Sequence, residues 1–203
     1  MSADREEILR RVKDAVGAIE HPADYPDWPD GLAVCDKRPL DDRWAAFCER
    51  LTAFHGMPLE KPEELAEYLK TFRYTHGYCD PELAGVLAPV LGPEFTLEET
   101  FERSRLDDYR FGITRARGAI AETGTLIVTD GQTSSRLGAL APWVHVACLR
   151  SDDIFRDTAE AAAALGDDPN VIWITGPSKT ADVEGILIEG VHGPGVQVCL
   201  LLP

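Results

Sequence analysis

Apolar positions along the chain follow two different rhythms. Over residues 4–19, Ile8, Leu9, Val12, Val16 and Ile19 recur at i, i+3/i+4 with charged residues between them. That spacing predicts an amphipathic helix. HPADYPDWPDG (21–31) then sets three prolines before a closing glycine, which no helix continues through. This stretch reads as a linker that leaves the first helix free to pack on the body or on a partner. The helical rhythm returns at 43–55, where Trp44, Phe47, Cys48 and Leu51 share one side. It returns again in KPEELAEYLKTF, whose early proline and acidic first turn mark a helix start. A short strand near Tyr74–Tyr78 and a helix over about 81–91, between Pro81 and Gly92, follow.

In the second half the pattern shifts to short continuous apolar runs. Strands are predicted around 111–114 and 118–121, in TLIVT, in LAPWVHVACL (140–149), in VIWIT (171–175) and in VQVCLLL (196–202). FRDTAEAAAALG (155–166) reads as a helix ended by glycine, and TADVEGILIEG as a further short helix. Buried strands alternating with helices predict an α/β fold with a mostly parallel sheet covered on both faces. The expected organisation is an N-terminal helix and Pro-rich linker over 1–42, then a single α/β domain over 43–203.

Composition narrows the function classes. The 203 residues are 44% hydrophobic, enough for a sizeable core. No apolar run approaches the roughly 20 residues that cross a bilayer. The charged start MSADREEILRRVKDAV is unlike a secretory signal, so the expected location is cytoplasmic. A formal net charge of −15 opposes binding to nucleic acid or to an anionic membrane surface. A small anionic ligand remains compatible, because arginines gather at 103, 105, 110, 115, 117 and 136. They form either an ion-paired, solvated face or a local anion pocket, for which guanidinium geometry is suited. The cysteines at 35, 48, 79, 148 and 199 are scattered and include no CxxC. They read as reduced, buried thiols rather than a local cluster or zinc motif. His76 and Cys79 in THGYC are either two metal ligands or a strand-end histidine beside a packed cysteine. No metal or cofactor is assigned to this chain.

Three stretches carry candidate chemistry. In ITGPSKT the chain leaves a strand and turns at Gly176 and Pro177 toward the predicted helix, where Ser178 or Thr180 caps and Asp182 and Glu184 suit the first turns. Capping leaves Lys179 unexplained, and a lysine beside free helix-start amides is a phosphate or carboxylate grip. GxxxxGK[ST] and GxGxxG are both absent, so nucleotide-loop readings gain no support. In AIAETGTLIV, Glu122 interrupts an apolar run, flanked by Thr123, Gly124 and Thr125. It is either a general base or nucleophile with a burial-raised pKa, or part of a bulge or hairpin paired with an arginine. His145 reads as a hydrogen-bonded core histidine. His192, between glycines in GVHGPG, is a candidate for proton transfer at a tight turn.

AIAETGT (119–125), PWVH (142–145), GPSKTADVE (176–184) and GVHGPG (190–195) occur together in an order and spacing that resemble the LUD-domain family, in its lactate utilization protein C branch. The resemblance covers about 110–203. It implies a fold of the NagB/RpiA/CoA-transferase-like type and a role in oxidising L-lactate to pyruvate. The chain would then be a cluster-free subunit, and iron–sulfur clusters are expected on its partner subunits. An alternative is a stand-alone isomerase, CoA-transferase or cyclo-ligase-like enzyme of the same fold, and another is a structural partner docking through the N-terminal helix. The motif positions transfer as candidates: Glu122 and His192 as catalytic residues, and Thr123, Gly124, Thr125, Arg136, Gly176, Ser178, Lys179 and Thr180 as ligand-binding ones. Lys179 stands where relatives often carry arginine, which keeps the charge. The expected pocket lies between the 122–125 and 176–180 loops.

Overall fold

The structure, a computed structural model, describes residues 3–19, 42–166, 168, 170–181 and 186–202. The chain separates into two compact units, Met1–Cys35 and Asp36–Pro203. In the first, the amphipathic rhythm forms α1 (Ala3–Gly17), with Asp4 and Glu6 in the first turn, where the helix dipole favours acids. Glu7 pairs with Arg10 and with Arg11, both at 2.8 Å, and the apolar stripe is exposed. The proline-rich stretch 21–31 lies outside the described residues.

The second unit opens with α2 (Arg43–Ala53), capped by Asp42, which accepts from the Ala45 amide at 2.9 Å. After it come β1 (Met57–Leu59), α3 (Pro62–Thr71), β2 (His76–Cys79), α4 (Pro81–Leu91) and β3 (Thr96–Glu98). Then follow β4 (Phe111–Arg115), β5 (Gly118–Ile120), β6 (Thr125–Thr129), α5 (Arg136–Leu140) and β7 (Val144–Arg150). The chain ends with β8 (Ile154–Phe155), α6 (Thr158–Leu165), β9 (Val171–Ile174), β10 (Lys179–Ala181), β11 (Leu187–Glu189) and β12 (Val196–Leu202).

Six strands form a wholly parallel sheet in the order β1-β12-β7-β4-β2-β3. β7 lies between β12 and β4, and its alternation sorts the core. Val144, Val146 and Cys148 point to one face, packed with Leu65, Leu69, Leu87 and Leu91 of α3 and α4. Ala147 and Leu149 point to the other, packed with Phe47 and Leu51 of α2 and with Ala119 and Leu126 of the smaller sheet. A one-residue slip of β7 would exchange these sets, and each buried leucine contributes about 1.5–3 kcal/mol in its present place. The mostly parallel α/β fold is therefore as the apolar runs predict.

Two elements differ from the sequence reading. VIWI is not buried in the parallel sheet: β9 is an edge strand, antiparallel to β6, in a second sheet ordered β8-β5-β6-β9, and Trp173 is 40% exposed. Apolar content alone does not separate a central strand from an edge strand that leans on one face. The predicted helix in TADVEGILIEG is instead a hairpin, with Lys179 opposite Glu189 and Ala181 opposite Leu187. Asp182 and Glu184 lie outside the described residues. A helical stripe of Ile186 and Leu187 needs a surface to cover it, yet these residues are 57% and 56% exposed. Backbone pairing, with β-branched Thr180 and Ile188 opposite each other, prevails instead.

Candidate functional site: a cleft between two glycine loops

β9 runs out at Ile174, and Thr175–Ser178 carries the chain into the hairpin. The hairpin returns through 190–195 into β12. These two loops fasten to one another: the Ser178 amide donates to the Pro194 carbonyl and the Gly190 amide to the Ser178 carbonyl, each at 2.9 Å. The Val196 amide donates to the Trp143 carbonyl, which seats the second loop over the amino ends of β7 and β12. Gly176 adopts φ +73°, and a side chain there would meet the Phe54 carbonyl oxygen at 2.2 Å. Only glycine lets this loop lie against the end of α2.

Lys179 is on a strand, so the free helix-start amides that motivated an anion grip are not beside it. Its ammonium donates to the Phe54 carbonyl at 3.1 Å, lies 5.9 Å over the Phe54 ring, and is 3.5 Å from Glu189. His55 Nδ1 lies 2.8 Å from the same carboxylate. That contact, with Lys179 adding to it, holds the Glu189 carboxyl below its ordinary range. Lys179 therefore ties the hairpin to α2. Thr180 faces Ile188 within the hairpin.

Between the loops lies a cavity of about 280 Å³. Ile172, Trp173 and Ile174 of β9, Leu140 of α5, Pro177 and Pro194 make its walls apolar, and Thr175, Ser178, His192 and Gln197 bring polar groups. Exposed His192 and its neighbour Gly193 also border a second cavity of about 430 Å³, which Arg110, Asp107, Trp143 and Val191 line.

Beneath the first cavity runs a buried polar row across three strands. His145 Nδ1 lies 2.9 Å from the Gln197 side-chain oxygen, and His145 Nε2 lies 2.9 Å from the Thr114 hydroxyl. An amide oxygen only accepts, so Nδ1 carries the hydrogen and Nε2 accepts from Thr114. Burial presses the His145 pKa down to about 4, which keeps the ring neutral near pH 7. The Gln197 amide donates onward to the Val198 carbonyl at 3.0 Å. The core-histidine reading of His145 holds, and the row fixes the start of β12.

The other predicted loop touches the first through hydroxyls. Thr123 and Thr125 lie 2.7 Å apart, and Thr125 lies 2.8 Å from Thr175. Gly124 has φ +66°, and a side chain there would strike the Leu51 amide nitrogen of α2 at 2.4 Å. Glu122 is half-buried, its amide donating to the Arg156 carbonyl at 3.0 Å. The structure thus joins the 122–125 turn to the 175–178 loop, but the cavity is lined from α5, β9, Gln197 and the two glycine loops. Among the described residues, Glu122, Thr123, Gly124, Thr125 and Arg136 do not line it. Arg136 pairs with Asp130 at 2.8 Å.

Two other arginines of the cluster serve ion pairs. Arg105 meets Glu98 and Asp108, both at 3.0 Å. Arg115 bridges fully buried Asp80 at 2.9 Å and Glu82 at 2.7 Å. His76 binds Glu98 at 2.8 Å, and burial pushes the Cys79 thiol up to about 12, so THGYC is a packed strand. Cys48, Cys79, Cys148 and Cys199 are free thiols, while Cys35 lies outside the described residues. Among the described residues no three His, Cys, Asp or Glu side chains converge as a metal site, and no helix is long and apolar enough to cross a membrane.

Sequence reasoning missed Gln197, Trp173 and Leu140. Gln197 carried a signal: it is the lone polar residue in VQVCLLL and pairs in register with the lone histidine of PWVHVACL. The edge position of Trp173 carried none, because β9 looked like any buried run.

Known proteins resolve the lineage. The LUD domain model matches residues 73–202, which include both loops and the polar row. A lactate utilization protein C from Deinococcus radiodurans is 29% identical over 179 residues, covering 71% of this chain and 84% of its own. One from an Exiguobacterium species is 32% identical over 181 residues, covering 84% of this chain and 70% of its own. The crystal structure of a DUF162 family protein from D. radiodurans shares the fold with a TM-score of 0.54 at 24% identity, across 79% of this chain and 96% of that one. This chain belongs to the LUD domain family, in its lactate utilization protein C branch.

Proposed function

We propose that the chain is a cluster-free subunit of an L-lactate utilization system and that the cleft between Thr175–Ser178 and His192–Pro194 holds the small anionic acid. The observation that supports this is the meeting of two family motifs, GPSK and GVHGPG, at one cavity in a chain whose relatives bear the lactate utilization name. In oxidation of L-lactate to pyruvate, the α-hydrogen and the hydroxyl proton leave with an electron pair. The iron–sulfur partner subunits would accept the electron pair together with the Cα proton, and this chain binds and orients the acid. Ser178 Oγ donates to the carboxylate. His192, exposed where both cavities meet, is placed to accept the hydroxyl proton.

Titration calorimetry with L-lactate and pyruvate tests the reading. Both acids bind, and Ser178→Ala and His192→Ala each weaken binding about tenfold, as loss of a hydrogen bond to a charged group does. Absence of binding by either acid at millimolar concentration would sink the proposal.

A further inference from the structure

We infer that the cleft is built for 2-hydroxy acids with an apolar side chain larger than the methyl group of lactate. The inference rests on the reading of the cleft as a hydroxy-acid site and concerns what fills the rest of it. The cavity is about 280 Å³. An apolar protein cavity of about 150 Å³ already accommodates benzene. A three-carbon acid leaves most of this volume empty, whereas a six-membered ring joined to the same head group has room within it.

The distribution of chemistry points the same way. Polar groups gather where the loops cross, at Ser178 and His192, where a side chain on Gly193 would meet Ser178 Cβ at 3.2 Å. Ile172, Trp173 and Ile174 on β9 and Leu140 on α5 make the apolar part of the remaining wall, with Thr175 and Gln197 as its other polar members. Trp173 is 40% and Leu140 37% exposed, an apolar surface that nothing in the described chain covers and that a lactate methyl is too small to reach across. A site for lactate alone has no use for an edge-strand tryptophan in its wall. An alkyl or aryl substituent does, because each methylene it buries adds free energy.

The experiment is a calorimetric series on the full chain with L-lactate, L-2-hydroxybutanoate, L-2-hydroxyhexanoate and L-3-phenyllactate. Affinity rises about fourfold per added methylene, and phenyllactate binds at least tenfold tighter than lactate. Trp173→Ala removes most of that rise, and Trp173→Phe, which keeps an aromatic wall and guards against a folding artefact, restores it. If lactate binds and the longer acids bind equally or more weakly, the inference is overturned while the cleft reading stands. If none of the four acids binds, both are overturned.

Discussion

His145 shows how much one buried side chain decides. It is fully buried and hydrogen-bonded on both ring nitrogens, and desolvation lowers its pKa from the ordinary 6.5 to about 4. Above pH 6.5 neither folded nor unfolded chain protonates this ring, so its contribution is constant. Between pH 6.5 and 4 the unfolded chain gains a proton that the folded chain refuses, and stability falls with pH. Below pH 4 both forms are protonated and the loss levels off at about 3 kcal/mol. Urea unfolding at pH 7 and pH 5 should show the protein about 2 kcal/mol less stable at the lower pH. His145→Gln, less stable at pH 7, should show a smaller difference between the two. An unchanged pH slope in the variant would mean that His145 is not the group responsible. The role of this residue was legible from its apolar neighbours, whereas its partner Gln197 emerges only once β7 and β12 are placed in register.

At the scale of elements, the β5–β6 turn and α2 are fitted to each other through Gly124. The residue needs a positive φ and also leaves room for the backbone of Arg50 and Leu51. Gly124→Ala should therefore cost more than the strain of a left-handed alanine, about 1–2 kcal/mol, because the contact is with backbone that cannot rotate away. Thermal unfolding of this variant should show a lowered midpoint, and equality with the parent would refute the close approach. The sequence disclosed this need, since a glycine after AIAET suggested a turn. It disclosed the parallel core as well, because long apolar runs such as VHVACL and VQVCLLL have no other place to go. It did not disclose the 179–189 hairpin. Val183, Ile186 and Leu187 have helical spacing, and periodicity holds no information about whether a core surface awaits them. α5 was hidden for a related reason: five residues are too few to display a period.

At the scale of the whole molecule, the charge of −15 acts on every anion that approaches. Three of the six clustered arginines, Arg105, Arg115 and Arg136, neutralise acids, Arg117 donates to the Ala164 carbonyl, and Lys179 shares Glu189 with His55. On the proposed reading, the cleft binds a carboxylate through hydroxyl, imidazole and apolar contacts against an unfavourable long-range field. Salt reveals which side dominates. The screening length shrinks from about 30 Å at 0.01 M to about 10 Å at 0.1 M salt, which weakens repulsion from distant acids while leaving short hydrogen bonds within the cleft intact. Affinity for L-lactate should consequently rise, about two- to threefold, across that range of sodium chloride at fixed pH. A cationic pocket would give the opposite slope. A fall in affinity with salt would show that Arg110 outweighs the field of the rest of the chain, and would move the carboxylate toward the second cavity that Arg110 lines.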